Sequence, residues 1–152
     1  VGLGATLALF CDAIFAAEHV KIGDPHVKVG FVADDGGAII WPQLIGFARA
    51  KEYLMTGELL TAPEAARIGL INHCVKADEL DAKVDAFARR LANGPVQAIA
   101  WTKQSVNIGL KQVATSIMDA CIAYEALSNR SRDHQEAVNA FREKRVPRFS
   151  GR

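Results

Sequence analysis

Residues 36–75, GGAIIWPQLIGFARAKEYLMTGELLTAPEAARIGLINHCV, decide how the chain is read. Ala38–Leu44 is an apolar run that closes at Gly46. Phe47–Met55 places Phe47, Ala50 and Leu54 at helical spacing and stops at Thr56-Gly57. Thr61-Ala62-Pro63-Glu64 has the form of a capping box: a hydroxyl to accept from the third helical N–H, Pro in the first turn, and Glu three residues on. The helix it starts covers Ala62–Ile68 and ends at Gly69, ahead of a strand over Leu70–Val75. Short helices punctuated by Gly and alternating with short strands predict an α/β fold.

Reading upstream, Asp34-Asp35-Gly36-Gly37 suits a helix start, because Asp accepts N-cap hydrogen bonds and complements the positive helix end. Leu3–Ala17 is apolar nearly all round, so a helix at Thr6–Cys11 is expected to be buried. Val20–Gly23 alternates as a strand and ends in the turn Gly23-Asp24-Pro25, where Asp24 reads as a turn residue. His26–Val32 follows as an extended piece around Gly30. Downstream, Asp78–Ala92 is an amphipathic helix broken by Asn93-Gly94-Pro95. Val96–Gly109 and Leu110–Leu127 read as further helical segments. Asp133-x-x-Glu136 is expected to cap a last helix that runs to about Lys144. The chain thus divides into a mixed region, 1–77, and a helical region, 78–152.

Composition narrows the function. Half of the 152 residues are apolar and 23% are charged, so disordered and collagen-like chains are excluded. Eighteen basic against seventeen acidic residues leave a net charge of +1 with no basic block, which gives no footprint for nucleic acid or an anionic membrane. No apolar stretch approaches the ~20 residues of a membrane span. Cys11, Cys74 and Cys121 are widely spaced and odd in number, without a zinc or redox motif. Cys11 and Cys74 lie in apolar runs and are expected to be buried, reduced thiols, in keeping with a cytoplasmic location.

Three segments together, GLGATLALFCDAIFAAEHVKIGDPHVKVGF (2–31), residues 36–75 above, and FREKRVPRFSG (141–151), resemble the enoyl-CoA hydratase/isomerase, or crotonase, family. The resemblance covers essentially the whole chain and the later part of that family's domain. It implies the later turns of a β-β-α spiral followed by helices that mediate trimerisation. The opening Val1-Gly2-Leu3-Gly4, without Met, agrees with early turns lying outside this sequence. An exposed apolar face or unpaired sheet edge is then expected, with no catalysis by this portion alone.

The family's chemistry is stabilisation of an enolate at an acyl-CoA thioester. Two N–H donors aimed at the thioester oxygen supply a few kcal/mol each in a dry site, and positioned acids or bases move protons at the adjacent carbons. The resemblance implies that Leu3 N–H is one donor, at the start of the first helix, with Leu standing where Gly is usual. The partner donor lies outside the sequence. The two hydratase carboxylates would fall at Thr6 and His26, and neither is a carboxylate. Thr6 can position a water. His26, with an ordinary pKa near ~6.5, can act as acid or base; its plain alternative is a structural histidine after a turn. Asp34 falls where isomerase and dehalogenase branches carry a catalytic Asp. Capping is the plain alternative for Asp34 and the favoured one for Asp35, and two adjacent acids can also divide capping and substrate contact between them.

Phe141 and Lys144 fall where the family contacts the adenine and phosphate end of coenzyme A, often from a neighbouring subunit. The alternatives are a core Phe and a solvated helix-end Lys. The expected enzyme uses no metal or redox cofactor, coenzyme A entering as part of the substrate, and assembles as a homotrimer or a hexamer. A non-hydratase variant is favoured by Thr6 and His26. The rival is a catalytically lapsed acyl-CoA-binding or assembly subunit of the same fold.

Overall fold

The computed structural model describes residues 1–151. Helix α1 (Leu3–Leu9) leads into strand β1 (Phe15–Ala17) and strand β2 (Lys21–Ile22), followed by a 3₁₀ turn at His26–Val29. Helices α2 (Gly37–Ile45) and α3 (Phe47–Thr56) precede β3 (Leu60–Thr61), α4 (Ala62–Arg67) and β4 (His73–Val75). Three helices complete the described chain: α5 (Leu80–Ala92), α6 (Val96–Asn129) and α7 (Arg132–Arg142).

Local chemistry accounts for the boundaries. Gly46 separates α2 from α3, and Gly57, with φ 65°, closes α3 by donating its N–H to Tyr53 O at 2.8 Å. Thr61 accepts from the Glu64 N–H at 3.4 Å, as the capping box requires, while the Glu64 carboxylate turns forward to Arg67. The last helix is capped by Ser131, whose hydroxyl accepts from His134 N–H at 3.0 Å; Asp133 instead receives the N–H groups of Ser150 and Gly151.

β1 pairs in parallel with β4 (Phe15 opposite His73), and β2 pairs antiparallel with β3. Leu9, Ile40, Trp41, Ile45, Leu60 and Leu70 form the centre of the core, with α2 at its heart. A helix that is apolar all round is stable only when surrounded, and Ile39 and Trp41 are completely enclosed. β4 is shorter than expected, because Leu70 and Ile71 are spent on the core before pairing begins.

Several sequence expectations are corrected. Val96–Asn129 is one continuous helix of 34 residues, about 50 Å long at 1.5 Å per residue, running through Gly109. α1 is not enclosed: Leu3 and Leu7 are exposed, with Phe10 beside them, so an apolar face is open there. Cys11 is exposed and Cys74 half-buried, whereas Cys121 is the buried thiol. Among the described residues no helix is long and apolar enough to cross a membrane.

Candidate active site

His26 stands on the 3₁₀ turn rather than on an extended piece, and the turn is built by Asp24. Asp24 is 1% exposed, and its Oδ1 both accepts from the His26 backbone N–H at 3.3 Å and faces His26 Nδ1 in a short hydrogen bond. A short polar side chain that accepts from the N–H two residues on is an Asx turn, which explains why Gly23-Asp24-Pro25 ends a strand here. The other oxygen, Oδ2, is buried without a partner. It lies so close to Gly37 that a Cβ there would sit 2.6 Å away, so only glycine allows α2 to begin against this carboxylate.

The opposite edge of the His26 ring faces the start of α2. Nε2 lies 3.9 Å from Asp35 Oδ2, and Asp35 Oδ1 accepts from the Thr6 hydroxyl at 3.3 Å. Thr6 is 1% exposed, which keeps that hydroxyl in place. α1 and the residue that follows it crowd Gly36 as well: a Cβ there would meet Phe10 and Thr6 at 2.9 and 3.0 Å. The first turn of α1 lies beside the imidazole, since a Cβ built on Gly2 would be 3.9 Å from His26 Cε1. Leu3 opens that turn, and its N–H therefore has no acceptor within the helix.

The two neighbouring aspartates part company, and neither caps α2. The N-cap is Gly36, with φ 111° and no side-chain cap bond. Asp35 joins His26 and Thr6, where the sequence favoured Asp34 for the chemistry and Asp35 for capping. Asp34 is buried and meets the Cys121 thiol of α6. Burial pushes its carboxyl above the usual range, the Cys121 hydrogen bond opposes this, and the charges of Glu125, Asp35 and Asp24 add to the rise. Burial and the facing Asp34 likewise raise the Cys121 thiol. The segment is fixed to the same face of α6 by Val32 N–H, which donates to Ser128 Oγ at 3.2 Å.

An enoyl-CoA hydratase/isomerase family model matches residues 1–152. The chain belongs to the enoyl-CoA hydratase/isomerase family. It is 34% identical over 151 residues to the 1,2-epoxyphenylacetyl-CoA isomerase of Escherichia coli strain K12, a match covering 99% of this chain and 58% of that protein. It is 36% identical to an enoyl-CoA isomerase/hydratase of Mycosarcoma maydis, covering 100% of this chain and 56% of the relative. Among solved structures, a carnitinyl-CoA hydratase from Mycobacterium avium superposes with TM-score 0.92 at 30% identity, over 99% of this chain and 59% of the other. The chain thus spans a little under three-fifths of these relatives. Its fold is the crotonase-type α/β fold, later turns of the spiral followed by helices.

Against the family's expected positions, Thr6 and His26 are brought to one cluster beside Leu3, while Asp34 is directed to α6. Phe141 and Lys144 lie at the end of α7, on the surface. Phe141 is 85% exposed, which removes its reading as a core residue, and Lys144 takes a left-handed conformation with φ 55°. Trp101 is exposed on α6. Asp24, His26 and Asp35 each offer one ligand atom within 4.8 Å of the others, a spacing a cation could use. Asp24 and Asp35 are the residues that sequence reasoning under-rated. An Asp two residues before a His, across a Pro turn, was the available signal for the first.

Proposed function

We propose that the protein carrying this chain acts on an acyl-CoA thioester, with His26 as the group that moves a proton and Leu3 N–H as one donor to the thioester oxygen. The carrying observation is the convergence of His26, Asp35 and Thr6 beside the first turn of α1. An imidazole can give and take a proton near neutral pH. The first-turn N–H groups of α1 add positive potential where an enolate oxygen gains charge. Asp35 takes the place beside His26 for which Asp34 was expected. Thr6 holds Asp35 and offers no carboxylate, which favours isomerisation or another enolate reaction over hydratase chemistry with two glutamates.

Phe141 and Lys144 are proposed to contact the adenine and phosphate end of coenzyme A, a reading supported by their exposure and by Arg142, Arg145 and Arg148 nearby. Exposed Val106, Ile108, Ile122, Tyr124 and Leu127 on α6 support self-association, as a homotrimer or hexamer. Cys11, Cys74 and Cys121 are free thiols, which supports a reducing, cytoplasmic setting.

The test is turnover of crotonyl-CoA and of a dienoyl-CoA by the purified protein carrying this chain, beside its His26→Ala variant. Turnover of either thioester that falls at least about 100-fold in the variant supports the reading. Tight acyl-CoA binding with no turnover of these or other acyl-CoA thioesters would leave the binding-subunit alternative.

A further inference from the structure

We infer that Asp24 and His26 form a carboxylate–imidazole dyad, in which buried Asp24 keeps the His26 proton on Nδ1 and leaves Nε2 bare toward Asp35 and the start of α1. The functional part of this inference rests on the proposed proton-moving role of His26; the geometry of the dyad does not.

Three observations carry it. Asp24 Oδ1 faces His26 Nδ1, and a carboxylate has only acceptor sites, so the proton between them belongs to the nitrogen. The carboxylate is locked by the His26 backbone N–H on one side and by the backbone at Gly37 on the other. Finally, Nε2 stands 3.9 Å from Asp35 Oδ2, beyond hydrogen-bond length, so the second ring nitrogen is not committed to a protein acceptor there. Phe31 flanks the ring at 5.9 Å between centroids.

A turn alone does not need this arrangement. Asn or Ser at position 24 can accept the same backbone N–H. An aspartate with one oxygen buried and unpaired costs folding free energy that a Ser avoids. What the carboxylate adds is a fixed tautomer and a negative charge beside the ring. Nε2 then takes a proton from the substrate, both ring nitrogens carry one, and Asp24 remains a carboxylate that stabilises the imidazolium. Release of the proton from Nε2 to product restores the starting state. Asp24 is on this account a positioning residue; it touches His26 and not the substrate.

The experiment is two-bond ¹H–¹⁵N correlation on histidine-labelled protein, with the His26 signals assigned by their loss in His26→Gln. The expected native pattern is protonated Nδ1 and bare Nε2 above the ring's titration. In Asp24→Ala, which removes the acceptor, the Nδ1 proton loses its partner and the ring reverts to the Nε2–H form that unconstrained histidine favours, and kcat falls about 100-fold or more with KM changed by less than about threefold. A native protein with its proton on Nε2 overturns the dyad, and this measurement needs no variant to fold beyond the one used for assignment. Equilibrium dialysis with zinc chloride is the second arm: stoichiometric binding by the native protein that Asp24→Ala abolishes makes the trio a metal site and also overturns the dyad. If the proton moves as expected while kcat stays within about twofold, the dyad stands and the catalytic role proposed for His26 fails.

Discussion

The Thr6 hydroxyl donates to Asp35 Oδ1 at 3.3 Å, tying the middle of α1 to the chain just ahead of α2. The two residues are 29 apart in sequence, and Thr6 is almost wholly enclosed, so the bond fixes which way the Asp35 carboxylate points. Thr6→Val keeps the branched shape and removes the donor. It is expected to lower unfolding stability by about 1–3 kcal/mol, while Thr6→Ser retains most of it. Urea denaturation midpoints at constant slope read the difference, and equal midpoints for Val and Ser would remove the hydrogen bond from the account.

Asp34 gives a pH dependence whose sign follows from its raised pKa. The folded state holds the proton at a pH where the unfolded chain, with its ordinary carboxyl, has lost it. Stability from this group is therefore greatest near and below the ordinary value of 3.8 and declines as pH rises through the folded value. Asp34→Asn lacks this decline. The melting temperature of the variant, compared with the parent, should become relatively higher on going from pH 4 to pH 7; a difference independent of pH would contradict the burial of an ionising group here.

The opposite sign holds at the end of α7. Hydrogen bonds from Arg145, then from the Arg148 N–H, hold the Glu136 carboxyl at about 2. Its contribution is present above the ordinary carboxyl range and is lost as pH falls toward 2. A carboxyl ¹³C titration should place the Glu136 midpoint near that value. Glu136→Gln should speed amide exchange at Arg148 at neutral pH and leave exchange in α2 unchanged.

Gly30 is held with φ 64°, and a Cβ there would come within 2.8 Å of the His134 backbone nitrogen. Gly30→Ala therefore strains the backbone and pushes against main chain that cannot rotate away. The expected loss is on the order of 1–3 kcal/mol, with α7 displaced from the 3₁₀ turn. Thermal unfolding with hydrogen exchange in α7 measures it. Gly109→Ala is the control: nothing lies within 4 Å of a Cβ on Gly109, and helix propensity makes that change neutral or stabilising.

Helix ends were the most legible part of the sequence, because Gly46, Gly57 and Thr61 act locally and need no distant partner. Gly109 misled by the same logic: its propensity cost reads as a boundary, but one glycine does not stop a helix that has flanking turns to carry it. The division of work between Asp34 and Asp35 was not legible. They precede α2, outside any periodic element, and which one meets His26 depends on how α1 and α6 pack against that segment. The family resemblance singled out His26 and Thr6, which the fold brings to one cluster. It did not reveal Asp24, whose burial arises only when α2 closes over the turn.

The 3₁₀ turn at His26–Val29 is gripped from the far end of the chain: Val29 O faces His134 Nδ1 at 2.8 Å, and Gly30 rests on the backbone at Asp133 and His134. The ribosome makes the imidazole more than a hundred residues before it makes the helix that steadies it. During synthesis the nascent chain can settle α2 and α3 through near neighbours, yet the turn bearing His26 must wait for α7 to emerge and dock. Completion of this turn is thus a late event in the life of the chain, and a slow step in docking α7 would be felt first as a delay in fixing the His26 ring.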